Sequence, residues 1–176
     1  ALPPAQLLPA GDGRQRVLRL VEGELRKRHP SKHTEGLALD AAYAAWLAAE
    51  PPDEATARLL ALMAAAFEPL TLSHVQELGG TEFVDAVKRL PGHEVLFWVS
   101  DEFAILQLHA SLTEWLRKPA TGLRLQWAHQ QLAVCAANAL AERRGGAGRR
   151  YAALYGHRHL SSVPGGEAEA AWARLL

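Results

Sequence analysis

The stretch VLFWVSDEFAILQLHASLTEWLRK, residues 95–118, decides how the chain folds. Leu96 to Val99 is a short apolar run, Ser100-Asp101-Glu102 is a polar break, and Phe103 to Leu108 is a second run rich in strand formers. Two such runs around a polar break read as a β-hairpin. The period then changes: Leu108, Leu112, Trp115 and Leu116 fall at helical spacing, and Pro119 closes the pattern. His109 sits where strand gives way to helix.

Upstream, the Pro91-Gly92 turn leads into the first run. Before it, Thr81 caps a helix with Phe83, Val84, Val87 and Leu90 on one face. Gly79-Gly80 separates that helix from a short one ending at Leu78. Either Thr71 or Ser73 can cap the short helix, and Ser73 with Gln76 has capping-box spacing. Asp53 to Phe67 is a further helix, with Asp53 as N-cap, Leu59, Leu60, Met63 and Phe67 as apolar content, and Pro69 as its end. Thr34 to Ala49 precedes it and is closed by Pro51-Pro52, a stiff joint that marks a subdomain boundary. Arg14 to His29 is amphipathic through Val17, Leu18, Val21 and Leu25, after a Pro- and Gly-rich lead-in.

Downstream, an Ala-rich helix runs from about Gln126 to Arg144, with Ala128, Leu132, Cys135, Ala136 and Ala139 on one face. RRGGAGRR, residues 143–150, reads as a flexible basic loop. Helices at Tyr151 to His159 and Glu167 to Leu176 complete the chain. Short helices followed by a hairpin that hands into a helix are the pattern of a winged helix. The expected fold is therefore mainly α: a winged-helix subdomain with a small β-hairpin wing, flanked by helical segments. Its divisions are a linker and two helices over 1–52, the winged helix over 53–118 and a helical arm over 119–176.

With 49% hydrophobic and 22% charged residues, the 176-residue chain has enough apolar content for a true core. Lys plus Arg and Asp plus Glu balance at 19 each, which argues against a partner with a phosphate backbone. The helix that would enter a DNA groove carries Glu82, Asp85, Lys88 and Arg89, with no net charge, and Asp101 and Glu102 at the wing tip have the wrong sign for phosphates. A winged helix that packs on protein is the better expectation than a DNA-binding module. The single cysteine, Cys135, rules out a disulfide within the chain and suits a reducing, cytoplasmic setting. No apolar run is long enough for a bilayer, so no membrane partner is expected. The N-terminus lacks the pattern of a secretory signal. The chain does not begin with Met and is expected to be a piece of a longer one.

Catalytic chemistry finds no footing. The Gly145 to Gly148 run lacks the Lys and hydroxyl of a P-loop, and no strand precedes it. His157 and His159 stand two apart on a helix, and His29 and His33 are split by Pro30, so a metal site is not expected. Cys135 reads as a small buried hydrophobe, and Ser73, Ser100 and Ser111 as caps or turn residues. The chain is expected not to be an enzyme, and to hold no cofactor within this segment.

The segments LALDAAYAAWLAAEPP (37–52), LLALMAAAFEPLTLSHVQELGG (59–80), LHASLTEWLRK (108–118), LQWAHQQLAVCAANAL (125–140) and YAALYGHRHL (151–160) follow one another in order. Together with the wing they resemble the arm that follows the nucleotide-binding core in NACHT-type STAND P-loop NTPases, and within these the ankyrin-repeat scaffolds of the TANC kind. The resemblance covers about Leu37 to Leu160. It implies a regulatory arm for signalling and assembly that packs on the neighbouring nucleotide-binding domain of the same longer chain. Its partners would be that domain and other proteins, including a homo-oligomer, with ATP or ADP met only through the neighbouring domain. In the related NLR proteins a His after the wing strand contacts a phosphate of bound ADP. His109 matches that His, Leu108 keeps the hydrophobic position before it, and Ala110 stands where the signature has Asp. The resemblance thus makes His109 the nucleotide-sensing residue. An interaction spacer without a nucleotide sensor is the competing expectation.

Overall fold

The computed structural model describes residues 32–49, 51–89, 97–99, 105–108, 110–142, 147–163 and 166–175. The expected helix at Arg14 to His29 lies outside these residues. The first described helix, α1 (Lys32–Ala49), ends before Pro51-Pro52 and buries Ala42, Tyr43 and Trp46. Asp53 then starts α2 (Glu54–Ala65): its backbone is extended, and Oδ1 accepts the Thr56 N–H at 2.8 Å. That is the N-cap expected from sequence.

The run LLALMAA gives the second half of α2 no polar face, and that half is enclosed accordingly, while Glu54 and Arg58 pair on the exposed first turns. Leu59 through Ala65 are all buried. Each fully buried leucine contributes about 1.5–3 kcal/mol relative to exposure. The helix stops at Ala65, two residues short of the expected Phe67, because Ala66 turns extended (φ −62°, ψ 143°). Arg117 holds that end: Nε donates to Ala64 O at 2.7 Å and Nη2 to Ala66 O at 3.3 Å.

A short link leads to β1 (Leu70–Thr71) and then α3 (Leu72–Arg89). Thr71 caps this helix, its Oγ1 accepting the His74 N–H at 3.2 Å, which decides between Thr71 and Ser73. The expected break at Gly79-Gly80 is a kink inside α3, where Gly80 takes φ 62°, ψ −154°, a conformation open only to glycine.

Strands β2 (Phe97–Val99) and β3 (Ile105–Leu108) pair antiparallel, with Phe97 opposite Leu108 and Val99 opposite Leu106. The connecting residues 100–104, which hold Asp101 and Glu102, lie outside the described residues. β3 also pairs antiparallel with β1, giving the sheet order β1-β3-β2 with the last strand central. Beyond residue 109, α4 (Ala110–Leu116) buries Leu112, Trp115 and Leu116 against α2. A turn of 3-10 helix at Pro119–Thr121 follows.

Three helices close the chain: α5 (Leu125–Ala141), α6 (Ala147–Ser162) and α7 (Gly166–Ala173), with α6 and α7 both packed on α5. The described part is mainly helical. Tyr43 and Trp46 of α1, the α2 leucines, Leu132 of α5 and Tyr151 of α6 share one buried cluster. Two sequence expectations change here. Residues 147–150, read as part of a basic loop, are the first turn of α6. Gly148 faces α3 there, and a Cβ at 148 would stand 3.0 Å from His74 Nε2, so the glycine permits close approach of the helix rather than a loop. Cys135 is only half-buried, because Ala133, Ala136 and Ala137 turn inward around it.

Candidate functional site

The link between α2 and β1, Ala66-Phe67-Glu68-Pro69, has a different environment on each side. On one side it borders an open cleft of about 270 Å³. The opposite wall comes from the β3–α4 corner: Leu108, Ala110, Thr113, Glu114 and Arg117. Among the described residues, the charge in the cleft is two carboxylates, Glu68 and Glu114, against one guanidinium, Arg117. Arg117 is committed to the α2 carbonyls, and Glu68 is paired with Arg150 at 3.0 Å.

Behind the link lies a chain of polar rings. His129, in the second turn of α5, places Nδ1 2.8 Å from Nδ1 of His159. His159 is fully buried, and its Nε2 is 2.7 Å from Tyr151 Oη. That phenol oxygen in turn accepts the Phe67 amide N–H at 3.4 Å. The Phe67 ring covers the chain, with its centroid 4.7 Å from that of His159 and 5.8 Å from that of Tyr155. Arg158 lies over both Phe67 and Tyr155, at 5.8 Å from each centroid.

The geometry selects one proton arrangement. A neutral imidazole carries one N–H, so the two facing Nδ1 atoms share a single hydrogen. If His159 Nδ1–H donates to His129, then His159 Nε2 is free to accept the Tyr151 hydroxyl. The hydroxyl oxygen keeps its lone pairs for Phe67, and every member of the chain is satisfied. The reversed direction would give Tyr151 Oη two incoming donors and leave its own hydrogen to find another acceptor. Burial keeps the chain uncharged. It lowers the His159 pKa from 6.5 to about 3, with the neighbouring His129 adding to the shift. Burial also lowers His129, with Arg117 adding to it. The Tyr151 phenol is pushed upward by burial and stays protonated.

His109, the expected nucleotide sensor, lies outside the described residues. Its neighbours Leu108 and Ala110 both line the cleft. His157 and His159, two apart in sequence, do not share the same surroundings. The structure exposes the first and buries the second. Missed altogether was the Tyr151, Tyr155, His159 spacing of i, i+4, i+8, which puts three ring side chains along one helix face. Among the described residues no group of three or more His, Cys, Asp or Glu could hold a metal ion. Among them, too, no helix is long and apolar enough to cross a membrane. Comparison with protein-family models, with curated proteins and with solved structures gave no match to the chain.

Proposed function

We propose that the chain is a non-catalytic regulatory arm of a larger NACHT/STAND-type NTPase, with a winged helix at its centre. The arm packs on the nucleotide-binding domain and couples nucleotide state to assembly. What supports the winged helix is the order α2, β1, the kinked α3, β2, β3, with β3 between the other two strands. A helix, a short strand, two helical pieces and two antiparallel strands with the last one central is that fold's arrangement.

The observation that supports the functional reading is that Leu108, at the end of β3, and Ala110, at the start of α4, both border the cleft beside the α2–β1 link. An imidazole at this corner can donate a hydrogen bond to a phosphate oxygen of ADP held by the neighbouring domain. Such a contact contributes roughly 1.5–3 kcal/mol. That is enough to bias a two-state element when ATP replaces ADP and the contact weakens. The setting is cytoplasmic, and the outcome of release is self-assembly or binding of other proteins. The test is ADP retention by the full-length parent protein carrying His109→Ala. Faster ADP loss is expected, and retention equal to that of the wild type removes the reading.

One observation favours a second reading, an interaction spacer without nucleotide sensing. Glu68 and Glu114 on the cleft walls repel phosphate, while Phe67 and Leu154 stand 41% and 44% exposed as protein-contact residues. On that reading His109→Ala leaves nucleotide exchange unchanged, while substitutions at Phe67 and Leu154 weaken assembly.

A further inference from the structure

The His129–His159–Tyr151 chain crosses three parts of the fold. His129 belongs to α5, His159 and Tyr151 to α6, and the chain ends on the Phe67 amide in the α2–β1 link. It is a hydrogen-bonded route, among the described residues, from α5 through α6 to the wall of the cleft. We propose that this chain is a proton-operated latch: neutral, it holds α6 against the α2–β1 link, and protonated, it lets α6 move away and frees the cleft wall at Phe67.

The argument rests on the number of hydrogens the geometry admits. At 2.8 Å the two Nδ1 atoms accommodate one N–H between them. One proton taken from solvent by His129 makes it an imidazolium, whose Nδ1–H must now point at His159. The hydrogen on His159 then sits at Nε2 and points at Tyr151 Oη, which also receives the Phe67 N–H. The Tyr151 hydroxyl hydrogen is displaced from its acceptor. A second proton would oppose two N–H groups across 2.8 Å, which the closed arrangement cannot hold. Opening relieves both conflicts, since each imidazole can then take its proton in water.

The charged and titratable surroundings favour this outcome. Arg117, at the end of α4, raises the cost of positive charge on His129. From α6 itself Arg158 lies over Phe67, and Tyr155 borders Tyr151. From α3, His74 meets the Tyr151 ring edge-on at 5.6 Å. From α5, Cys135 lies near Tyr151. Glu68, in the link, acts on Tyr151 and is itself paired with Arg150. Among the described contacts no carboxylate meets either imidazole to stabilise a charged form in the closed state. The latch stands whether or not residue 109 meets a nucleotide.

Amide hydrogen exchange on the intact chain, corrected for the intrinsic pH dependence, tests the latch. Below pH 6.5 each released histidine favours the open state by about tenfold per pH unit, so the pair gives up to about a hundredfold per unit. Protection of residues 151–160 is expected to fall with that steepness between pH 6 and pH 4, ahead of residues 59–65 in α2. In His159→Gln, whose amide can still bridge both neighbours without titrating, the slope is expected to halve. Residues 151–160 as well protected as residues 59–65 at every pH from 6 to 4, or an unchanged slope in the variant, overturns the proposal. If the variant does not fold, NMR of the imidazole nitrogens in the wild-type protein decides. Both rings remaining neutral until α6 protection is lost supports the latch. Titration of either ring near 6.5 with α6 still protected overturns it.

Discussion

Gly156 of α6 lies against the indole ring of Trp172 in α7: a Cβ at position 156 would stand 2.6 Å from Trp172 Cζ2 and 2.9 Å from the Cβ of Ala136 in α5. The indole cannot easily withdraw, because its N–H donates to Ala133 O at 2.9 Å. Three helices therefore meet at a point that admits hydrogen and not methyl. Gly156→Ala gains about 1 kcal/mol of helix propensity. Overpacking of this kind costs about 1–3 kcal/mol. The variant is expected to be less stable than the wild type, read as a lower urea midpoint at unchanged slope.

Arg117 joins the end of α4 to the end of α2 by its two bonds to Ala64 O and Ala66 O. Arg117→Ala should lose roughly 1–2 kcal/mol, at or below the low end of the range of about 1.5–3 kcal/mol for charged hydrogen bonds, because the side chain is partly in water. Arg117→Lys keeps the charge without the fork and should recover only part of that loss. Denaturant unfolding of the two variants side by side checks the order.

Stability should fall in mild acid with a definite sign. His159 has a pKa of about 3 when folded, against 6.5 for the free side chain. Between these values the unfolded chain binds a proton that the folded one refuses, so stability rises with pH across this window. It is complete above about pH 6.5 and declines as pH falls toward 3. At pH 5 the gap of 1.5 units corresponds to about 2 kcal/mol lost through this residue. Unfolding free energies at pH 7 and pH 5 should differ by at least that much in the wild type and by less in His159→Gln.

Cys135 should be a slow thiol. Burial, with Glu77 and Glu142 adding to it, pushes its pKa from 9.0 up to about 11. The thiolate, which is the reactive form, is then about a hundredfold scarcer at neutral pH. Alkylation by iodoacetamide at pH 8 should be slower by about tenfold or more in the folded protein than in urea, since the more basic thiolate is also the better nucleophile. Equal rates would show the thiol to be outside the packed interior.

Several elements were legible without coordinates because their signals are local. Asp53 before an apolar run, Pro51-Pro52 after α1 and Gly79-Gly80 within α3 each act on their own few residues of backbone, and the structure keeps all three. The boundaries that moved did so through remote contacts. α2 ends early where Arg117, more than fifty residues away, takes its last carbonyls. α6 begins early where Gly148 can lie against His74.

Local signals along the chain suffice to make it mainly helical, to mark where its helices are interrupted, and to set two strand-forming runs ahead of the Trp115 helix. Periodicity and the backbone limits of proline and glycine suffice for that, since both act over neighbouring residues. Packing between distant segments is what sets β3 between β1 and β2 and joins His129, His159 and Tyr151 in one hydrogen-bonded chain ending on Phe67. Those partners are separated by eight to eighty-four residues of chain. Which polar group finds which across such distances depends on how α5, α6 and the α2–β1 link pack, and on the cost of leaving any of these groups buried without a partner.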